Sequence, residues 1–521
     1  THRNFYFITI GTEPGKRVEK LEQSTVPAEK IFTTYNDYGV HEKNEKSLIK
    51  SGAEWYGEAF IEITEREFVF HFPNRDLTRE VHIAGDFAAR STTVCSFTVF
   101  INQDSVFTDN VSAIPENSIT KYANPSSKSS WFMANDEQDL TVTLRLNRKN
   151  ENPIGWLNYL QLNVMSHLQF SGSQFGFRNI NAYDEGQVSE FRISGTNENF
   201  RVWDVTDPHS AKEIMVTHED GQTKFSLLME ELKEFTGFDG TDYMTPGLDG
   251  YVENQNLHAY QTADFIIVTH PEFADQADRL KALHEEIDGM DVIVADLYDI
   301  YNEFSSGAAD VTAIRDFVRM VYLRSGTPPQ LKYVLLFGDG SYDPLDRIDD
   351  NLSFIPTFQS RQSLWYTSTY VTDDYFGLMD PDEGNDASGN VDLGIGRFAV
   401  NSHEEAKLMV DKVEKYMRMT PEVQGNWRNS LTFVADDEDN NLHLYQADTI
   451  LVSRIQKKNS SVNINKIYLD SYRQETSASG HTYPGVNDDI NKQVNNGTLI
   501  VNYTGHGGEL GLAHEKVVQI S

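Results

Sequence analysis

The feature that most constrains the fold is a change of pattern near residue 250. Beyond it, short apolar runs typical of buried strands alternate with stretches in which apolar residues recur at helical spacing. The predicted strands are 265–270, 291–295, 333–337, 431–435, 466–469 and 499–501. The predicted helices are 272–288, 311–324, 404–419, 442–456 and 486–494. Such alternation produces right-handed βαβ units on a mostly parallel sheet, and functional residues collect beyond the carboxyl ends of its strands.

Before residue 250 the pattern is one of short strands separated by polar turns, which predicts one or two β-sandwich domains. The predicted strands are 5–10, 59–63, 68–72, 93–101, 140–146, 155–162, 190–194, 202–206 and 224–228. If there are two β domains, the boundary falls near 150, and the glycines between 235 and 256 mark a linker. We therefore predict a multidomain α+β protein. Its parts are a β-rich region at 1–250, an α/β subdomain at 251–425, and a second α/β subdomain at 426–521 that is incomplete at its C-terminus.

The charge balance excludes some partners. Lysine and arginine number 44 against 79 aspartates and glutamates, for a formal net charge of -35. Such a field repels nucleic acid and favours solubility. No apolar run approaches the length of a membrane span, and we expect a processed or excised fragment without its targeting signal.

Cys95 is the only cysteine, which excludes an intrachain disulfide and a cysteine-rich zinc site. It lies in the middle of a predicted strand, whereas a nucleophilic thiol needs a nearby base and an environment that lowers its pKa. We predict that Cys95 is buried and structural.

The candidate catalytic residues follow two of the predicted strands. His506 lies between glycines after strand 499–501, which we expect to be buried and parallel, and a displayed histidine suits a general base. Gly507 leaves a backbone amide free to donate to an oxyanion. Asp436 follows strand 431–435 and is predicted to orient the histidine ring, with Asp437 as the next choice. The alternatives are a turn that merely ends a strand and a solvated acidic loop at 436–439 that could hold a cation.

Other chemistries find little support. Six acidic residues cluster in a Gly/Asn-rich loop between Asp373 and Asp386, but their spacing does not fit an EF-hand, so we interpret it mainly as solvated charge and leave a Ca²⁺ site open. No cofactor and no catalytic metal are expected, since the motifs of zinc hydrolases, serine hydrolases and phosphate-binding loops are absent.

Residues 502–508 resemble the catalytic histidine segment of the gingipain family of cysteine peptidases, which have a caspase-like α/β fold. Further segments resemble the gingipain-like sortases of the type IX secretion system, so that the resemblance covers most of the chain: 155–157, 202–205, 336–343, 356–360, 371–378, 427–429 and 435–439. The resemblance implies a nucleophilic cysteine on a later strand, beyond Ser521. Residues 1–521 alone would then be inactive, and the amide of that cysteine would share the oxyanion with Gly507.

The function that this resemblance implies is specific. It is a cysteine endopeptidase and transpeptidase that removes the C-terminal signal domain of secreted cargo and transfers the cargo to anionic lipopolysaccharide. The expected place is the extracellular face of a Gram-negative outer membrane, and the expected partners are the β-barrel PorV and other components of the surface complex. Two alternatives stay open: a secreted general protease with a β prodomain, and a non-catalytic scaffold of the secretion complex.

Overall fold

The structure is a computed structural model that describes residues 4–12, 14–134, 137–149, 152–172, 174–243, 245–477, 480–508 and 510–519. The chain forms two compact units, Thr1–Ala406 and Lys407–Ser521. A β-rich region is followed by parallel α/β structure, which confirms the predicted fold class. The division between the units lies within a helix, α4 (His403–Met417). The predicted domain boundaries at 250 and 425 stay predictions.

Among the described residues before 240, the first unit has eighteen strands. They are β1 Glu19–Leu21, β2 Lys30–Phe32, β3 Thr34–Glu42, β4 Ala59–Phe60, β5 Glu65–Phe70, β6 Val81–Arg90, β7 Cys95–Ile101, β8 Asp104–Val111, β9 Asn124–Phe132, β10 Leu140–Asn147, β11 Ile154–His167, β12 Phe175–Phe177, β13 Gln187–Ser194, β14 Arg201–Asp204, β15 Lys212–Ile214, β16 Thr217–Glu219, β17 Gln222–Met229 and β18 Phe235–Phe238.

The first sandwich packs the sheet β3-β11-β6-β9, to which β4 adds through β11, against the sheet β5-β10-β7-β8. Alternate residues of both sheets point into one core, where Phe87 and Phe97 stack with ring centroids 4.8 Å apart. Cys95 is 3% exposed within this core, and burial raises the pKa of its thiol. The prediction of a buried structural cysteine is confirmed.

The second sandwich packs the sheet β1-β15-β14-β18-β12 against the sheet β16-β17-β13-β2. Its first two strands, β1 and β2, precede the first sandwich in the chain and join their sheets by parallel pairing with β15 and β13. The predicted strand at 155–162 belongs to β11 of the first sandwich, so it does not open a second group. Which sandwich a strand joins depends on pairing across more than a hundred residues, and local pattern does not encode this.

The prediction of a strand at 5–10 is wrong, because these described residues form no strand. Tyr6, Ile8 and Ile10 are 79%, 88% and 101% exposed. Aromatic and β-branched residues favour extended backbone, but a strand also needs a neighbour to satisfy its N–H and C=O groups. The predicted linker at 235–256 likewise begins with a true strand, β18, which pairs with β14.

The α/β part of the first unit contains β19 Phe265–Thr269, β20 Val292–Asp296, β21 Tyr333–Phe337, β22 Phe358–Gln359, β23 Val371–Thr372 and β24 Gly394–Phe398, with helices α1 Ala274–Ile287, α2 Leu297–Phe304 and α3 Val311–Arg324. Its sheet has the order β20-β19-β21-β24, and all pairs are parallel, as predicted. Helix α2 was not predicted, because it follows β20 without a turn. Its N-terminus is capped by Asp296, whose side chain accepts from the N–H of Tyr298.

The second unit contains β25 Ser430–Ala435, β26 Asn463–Tyr468, β27 Glu475–Ser477, β28 Gly480–Thr482, β29 Ile500–Thr504, β30 Gly507–Gly508, β31 Gly511–Leu512 and β32 Val518–Gln519, with helices α5 Glu438–Leu444, α6 Ser453–Lys458 and α7 Pro484–Asn496 and a π-helix at Tyr445–Val452. Short 3₁₀ helices in the chain are Leu257–Ala259, Pro271–Phe273, Asp374–Gly377, Pro421–Val423, Asn426–Asn429 and Leu469–Ser471. No helix among the described residues combines the length and apolarity needed to cross a membrane.

The parallel sheet of this unit has the order β26-β25-β29. All six residues of β25 are buried, with α7 packed on one face and the segment after Tyr445 on the other. The strand expected at 499–501 is parallel, as predicted, but the prediction that it is buried is wrong. Leu499, Ile500 and Val501 are 40%, 53% and 46% exposed, because β29 is an edge strand of the sheet that the described residues form.

Candidate active site

Asp436 and His506 meet because they follow neighbouring parallel strands. β25 and β29 pair in register up to Ala435 and Thr504, and the N–H of Asp436 donates to the carbonyl of Thr504 at 3.0 Å. The two residues therefore leave the sheet at the same edge, as the sequence predicts.

The backbone of His506 is held at three points. Its N–H donates to Asp436 Oδ2 at 3.1 Å. Its carbonyl accepts from the hydroxyl of Tyr503 at 2.7 Å and from the N–H of Ala513 at 2.8 Å. Because none of these contacts involves the imidazole, the ring is free for chemistry while the loop stays in place.

The ring of His506 contacts a different carboxylate from the one predicted. Nε2 lies 2.8 Å from Asp439 Oδ2, and this hydrogen bond holds the pKa of Asp439 below its ordinary value. Asp436 is 1% exposed, and its oxygens already accept from the N–H groups of Asp437 and His506. The role of Asp436 as the ring-orienting acid stays a prediction, since its contact in the structure is with the backbone.

The contact with Asp439 fixes the tautomer of a neutral His506. A carboxylate only accepts, so Nε2–H donates to Asp439 and the lone pair lies on Nδ1. This is the form that a general base requires, with one ring nitrogen oriented by an acid and the other able to accept a proton. Half of the side chain of His506 is exposed.

Tyrosines and charged side chains lie around the histidine loop. The hydroxyl of Tyr483 donates to Asp437 at 2.6 Å, and the hydroxyl oxygen of Tyr503 lies 3.2 Å from Asp436 Oδ2. Burial and these carboxylates raise the pKa of both tyrosines, so that they remain hydroxyl donors. His514 contacts Glu438 at 2.5 Å, and this hydrogen bond raises the pKa of its imidazole.

Sequence reasoning placed Asp439 in a solvated loop and missed its contact with the ring. The contact depends on a kink within α5, a left-handed turn in which Asp439, Asn440 and Asn441 adopt φ values of 57°, 54° and 65°. Aspartate and asparagine are the side-chain-bearing residues that best tolerate this region, so the Asp-Asn-Asn run was the available signal.

Two glycines flank His506 for different reasons. At Gly505 a Cβ atom would lie 2.4 Å from Asp436 Cβ and 2.4 Å from the hydroxyl of Tyr503, so only glycine fits. At Gly507 a Cβ would meet nothing closer than 3.6 Å. In the hairpin, His506 and Ala513 form a hydrogen-bonded pair. Such pairs alternate with non-hydrogen-bonded ones, so the next pair, Gly507 and Leu512, is not hydrogen-bonded and the N–H of Gly507 points away from the ladder.

Substitution of Gly505 by alanine is expected to destabilise the second unit by about 1–3 kcal/mol, because Asp436 or Tyr503 must move. Gly508→Ala is the matched control, since a Cβ at that glycine meets no atom within 4 Å. Urea denaturation followed by circular dichroism measures both variants. Equal stability of the two would contradict the close packing of Gly505.

The acidic loop of the first unit is occupied with internal contacts. Arg397 binds both oxygens of Asp373 at 2.8 Å, and Asp386 accepts from the N–H of Ser388 at 2.9 Å. Among the described residues, groups of three side chains with metal-ligating atoms within 4.8 Å of one another occur at Asp439, His443 and His506 and at Asp436, Asp437 and Glu515. The Ca²⁺ site in the loop stays a prediction.

The turn after β21 is built around a buried carboxylate. Asp343 is fully buried and accepts from the N–H of Ile348 at 2.8 Å and from Arg347 Nε at 2.8 Å. Every contact of its carboxylate is thus local, which indicates a structural part in shaping the turn.

Comparison with known proteins connects these features to a peptidase family. The family model described as peptidase family C25 matches residues 258–521, which is just over half of the chain. No curated protein matches the chain.

Among solved structures, dimeric latent PorU from Porphyromonas gingivalis is similar at 25% identity and a TM-score of 0.67. The match covers 77% of this chain and 39% of that chain, so the present chain spans well under half of its length. A family 35 carbohydrate-binding module from Clostridium thermocellum matches at 9% identity and a TM-score of 0.16, over 25% of this chain and 90% of that chain. A TM-score of 0.16 is too low to indicate a shared fold over the chain.

Proposed function

Because the chain belongs to peptidase family C25, we propose that it is the cysteine endopeptidase and transpeptidase, or sortase, of a type IX secretion system. In this proposal it removes the C-terminal signal domain of secreted cargo and transfers the cargo to anionic lipopolysaccharide. It acts on the extracellular face of a Gram-negative outer membrane together with the β-barrel PorV and other components of the surface complex.

The likeness to PorU carries the proposal. It covers 77% of the chain at a TM-score of 0.67, which is more of the chain than the 258–521 segment that matches the family model. The likeness therefore extends into the β-rich region and is not confined to the peptidase segment. This favours a PorU-like role over that of a general protease, for which a match to the peptidase segment alone would suffice.

The proposed chemistry assigns roles to the residues around His506. The Nδ1 lone pair of His506 accepts the proton of a cysteine thiol, and the thiolate attacks the scissile carbonyl. The scissile C–N bond then breaks to leave an acyl-enzyme thioester, and the departing amine of the signal domain takes the proton from His506. The N–H of Gly507, which points away from the hairpin ladder, donates to the oxyanion. An amine then replaces the thiolate, and the cargo leaves joined to its acceptor.

The proposal places the nucleophilic cysteine in the natural protein outside residues 1–521. Cys95 lies within the core of the first sandwich, and its raised pKa disfavours the thiolate. A peptide substrate cannot reach this buried thiol, so Cys95 cannot form the thioester.

The group that accepts the acyl chain of the cargo, an amine or water, distinguishes a sortase from a protease. We expect the natural protein, incubated with cargo that carries its C-terminal signal domain and with a soluble amine, to release cargo whose new C-terminus is amide-linked to the amine. Mass spectrometry of the C-terminal peptide of the processed cargo shows whether that terminus carries the amine. Release of a free carboxylate alone, at saturating amine, would support the general protease, and absence of any cleavage would support the scaffold.

A further inference from the structure

The ring of His506 is part of a cluster of three metal-ligating side chains. Asp439 Oδ2 lies 2.8 Å from His506 Nε2 and 3.3 Å from His443 Nε2, and the two imidazole centroids are 5.1 Å apart. The three ligating atoms all lie within 4.8 Å of one another. Ligand atoms bound tetrahedrally to one ion at 2.0–2.1 Å are separated by about 3.3 Å, so the cluster needs little movement to surround an ion.

His443 places its Nε2 inside this cluster, facing the same carboxylate oxygen as His506 does. Nε2 is buried and has no aligned hydrogen-bond partner among the described residues. The other ring nitrogen, Nδ1, lies 3.3 Å from the side-chain oxygen of Gln446, which can accept an N–H from it.

One carboxylate oxygen is thus shared by two imidazoles, and its contact with His443 is too poorly aligned to satisfy the buried Nε2. A buried polar atom without an aligned partner is unfavourable. A cation bound by Asp439, His443 and His506 would give this nitrogen a partner. The side-chain oxygen of Gln446 would then accept from Nδ1–H and hold the ligating imidazole in place.

The ligand types select the kind of cation. Two imidazole nitrogens and one carboxylate oxygen suit Zn²⁺, whereas Ca²⁺ and Mg²⁺ prefer sites built from oxygen. Three protein ligands with a fourth position open to water are the composition of an accessible zinc site. Half of the side chain of His506 and half of that of Asp439 are exposed, so an ion can enter from solvent.

We propose that Asp439, His443 and His506 form a zinc site that switches the peptidase off. The inhibitory consequence rests on the proposed function, while the binding itself does not. Zinc takes the lone pair of His506 Nε2, so the proton that Nε2 carried moves to Nδ1. The ring then has no free lone pair with which to accept a proton from a thiol. Loss of the ion returns the proton to Nε2, where Asp439 accepts it, and the base is restored.

Calorimetric titration of the metal-free full chain with ZnCl₂ tests the site at about pH 7.5, since acid weakens metal binding by competing for the ligands. We expect binding of one ion per chain, with no binding of Ca²⁺ at the same site. His443→Ala is expected to raise the zinc Kd at least about tenfold, since substitutions of outer-shell groups alone have effects of that size. Asp439→Asn, at an exposed side chain that carries little of the fold, is expected to weaken binding in the same way.

His403→Ala is the matched control. His403 Nε2 lies 2.9 Å from Asp275, and both side chains are more than half exposed. This variant removes a surface His–Asp pair that has no third metal-ligating side chain in the described part of the chain. Its zinc affinity is expected to equal that of the unmodified chain.

Three results would overturn the zinc site. They are no one-to-one binding by the unmodified chain, a zinc affinity in both His443→Ala and Asp439→Asn that equals that of the unmodified chain, or binding lost in Glu515→Gln but retained in His443→Ala. The last result would assign the ion to the carboxylate group Asp436, Asp437 and Glu515. Because calorimetry needs no turnover, these outcomes are distinct from failure of the proposed peptidase reaction.

Discussion

Replacement of His506 by alanine is expected to lower cargo processing by about 10²–10⁴-fold, the contribution of a positioned general base. The fold should be unaffected, because the backbone of His506 makes the contacts that hold its loop and the side chain is half exposed. Thermal unfolding should therefore shift little, since substitutions at exposed side chains usually change the free energy of unfolding by less than about 0.5 kcal/mol. Processing is measured as loss of the signal domain from cargo with the natural protein.

Cys95→Ala provides the control for this experiment. Cys95 is buried in the first sandwich and lies outside the proposed chemistry, so processing by this variant should continue at the unmodified rate. Normal processing by the His506 variant would remove the histidine from the mechanism. Loss of processing by a folded Cys95 variant would make Cys95 the nucleophile and contradict the proposal that the nucleophile lies elsewhere.

Asp436→Asn is expected to reduce the rate of processing by about 10²–10⁴-fold, and by more than Asp439→Asn does. Asp436 is 1% exposed and accepts from the backbone of both Asp437 and His506, so an amide group in its place sets a donor against a donor. Leaving a buried donor unsatisfied costs about 1–3 kcal/mol and displaces the histidine loop. Displacement of the loop moves the imidazole of His506 away from the substrate, and small displacements of a catalytic group lower the reaction rate strongly.

Asp439→Asn is the comparison variant, because Asp439 contacts the ring itself. Its side chain is 51% exposed, so the hydrogen bond to His506 is weakened by water, and we expect a loss of about tenfold. Rates of cargo processing for the two variants, measured alongside their unfolding transitions, separate the two roles. A larger loss in Asp439→Asn, with the fold intact, would identify Asp439 as the orienting acid.

The order of the secondary structure after residue 250 is encoded locally. The predicted helix at 311–324 and the strand at 333–337 have the bounds that the structure shows, because apolar periodicity directly reflects which side of an element is buried. The meeting of Asp436 with His506 also follows from the sequence. Asp436 comes directly after one strand of a parallel sheet and His506 comes two residues after the end of its neighbour, and such strands end at one edge.

The pairing of strands in the β-rich region, by contrast, is not encoded locally. β1 and β2 lie in the second sandwich although β3 lies in the first, and residues 5–10 have a strand-like composition without a strand to pair with. Pairing of this type depends on which distant segment is available. A single sequence read locally carries no information about that competition.

The sequence by itself therefore determined the fold class, the parallel sheets, the burial of Cys95 and the position of His506 at a strand end beside Asp436. Tertiary structure alone decided that Asp436 binds the backbone of His506 while Asp439 binds its ring, and that His443 lies 3.3 Å from that carboxylate. The physical reason is that strand ends follow from periodicity, whereas side-chain partners depend on a left-handed turn and on competition among neighbouring carboxylates for the same donors.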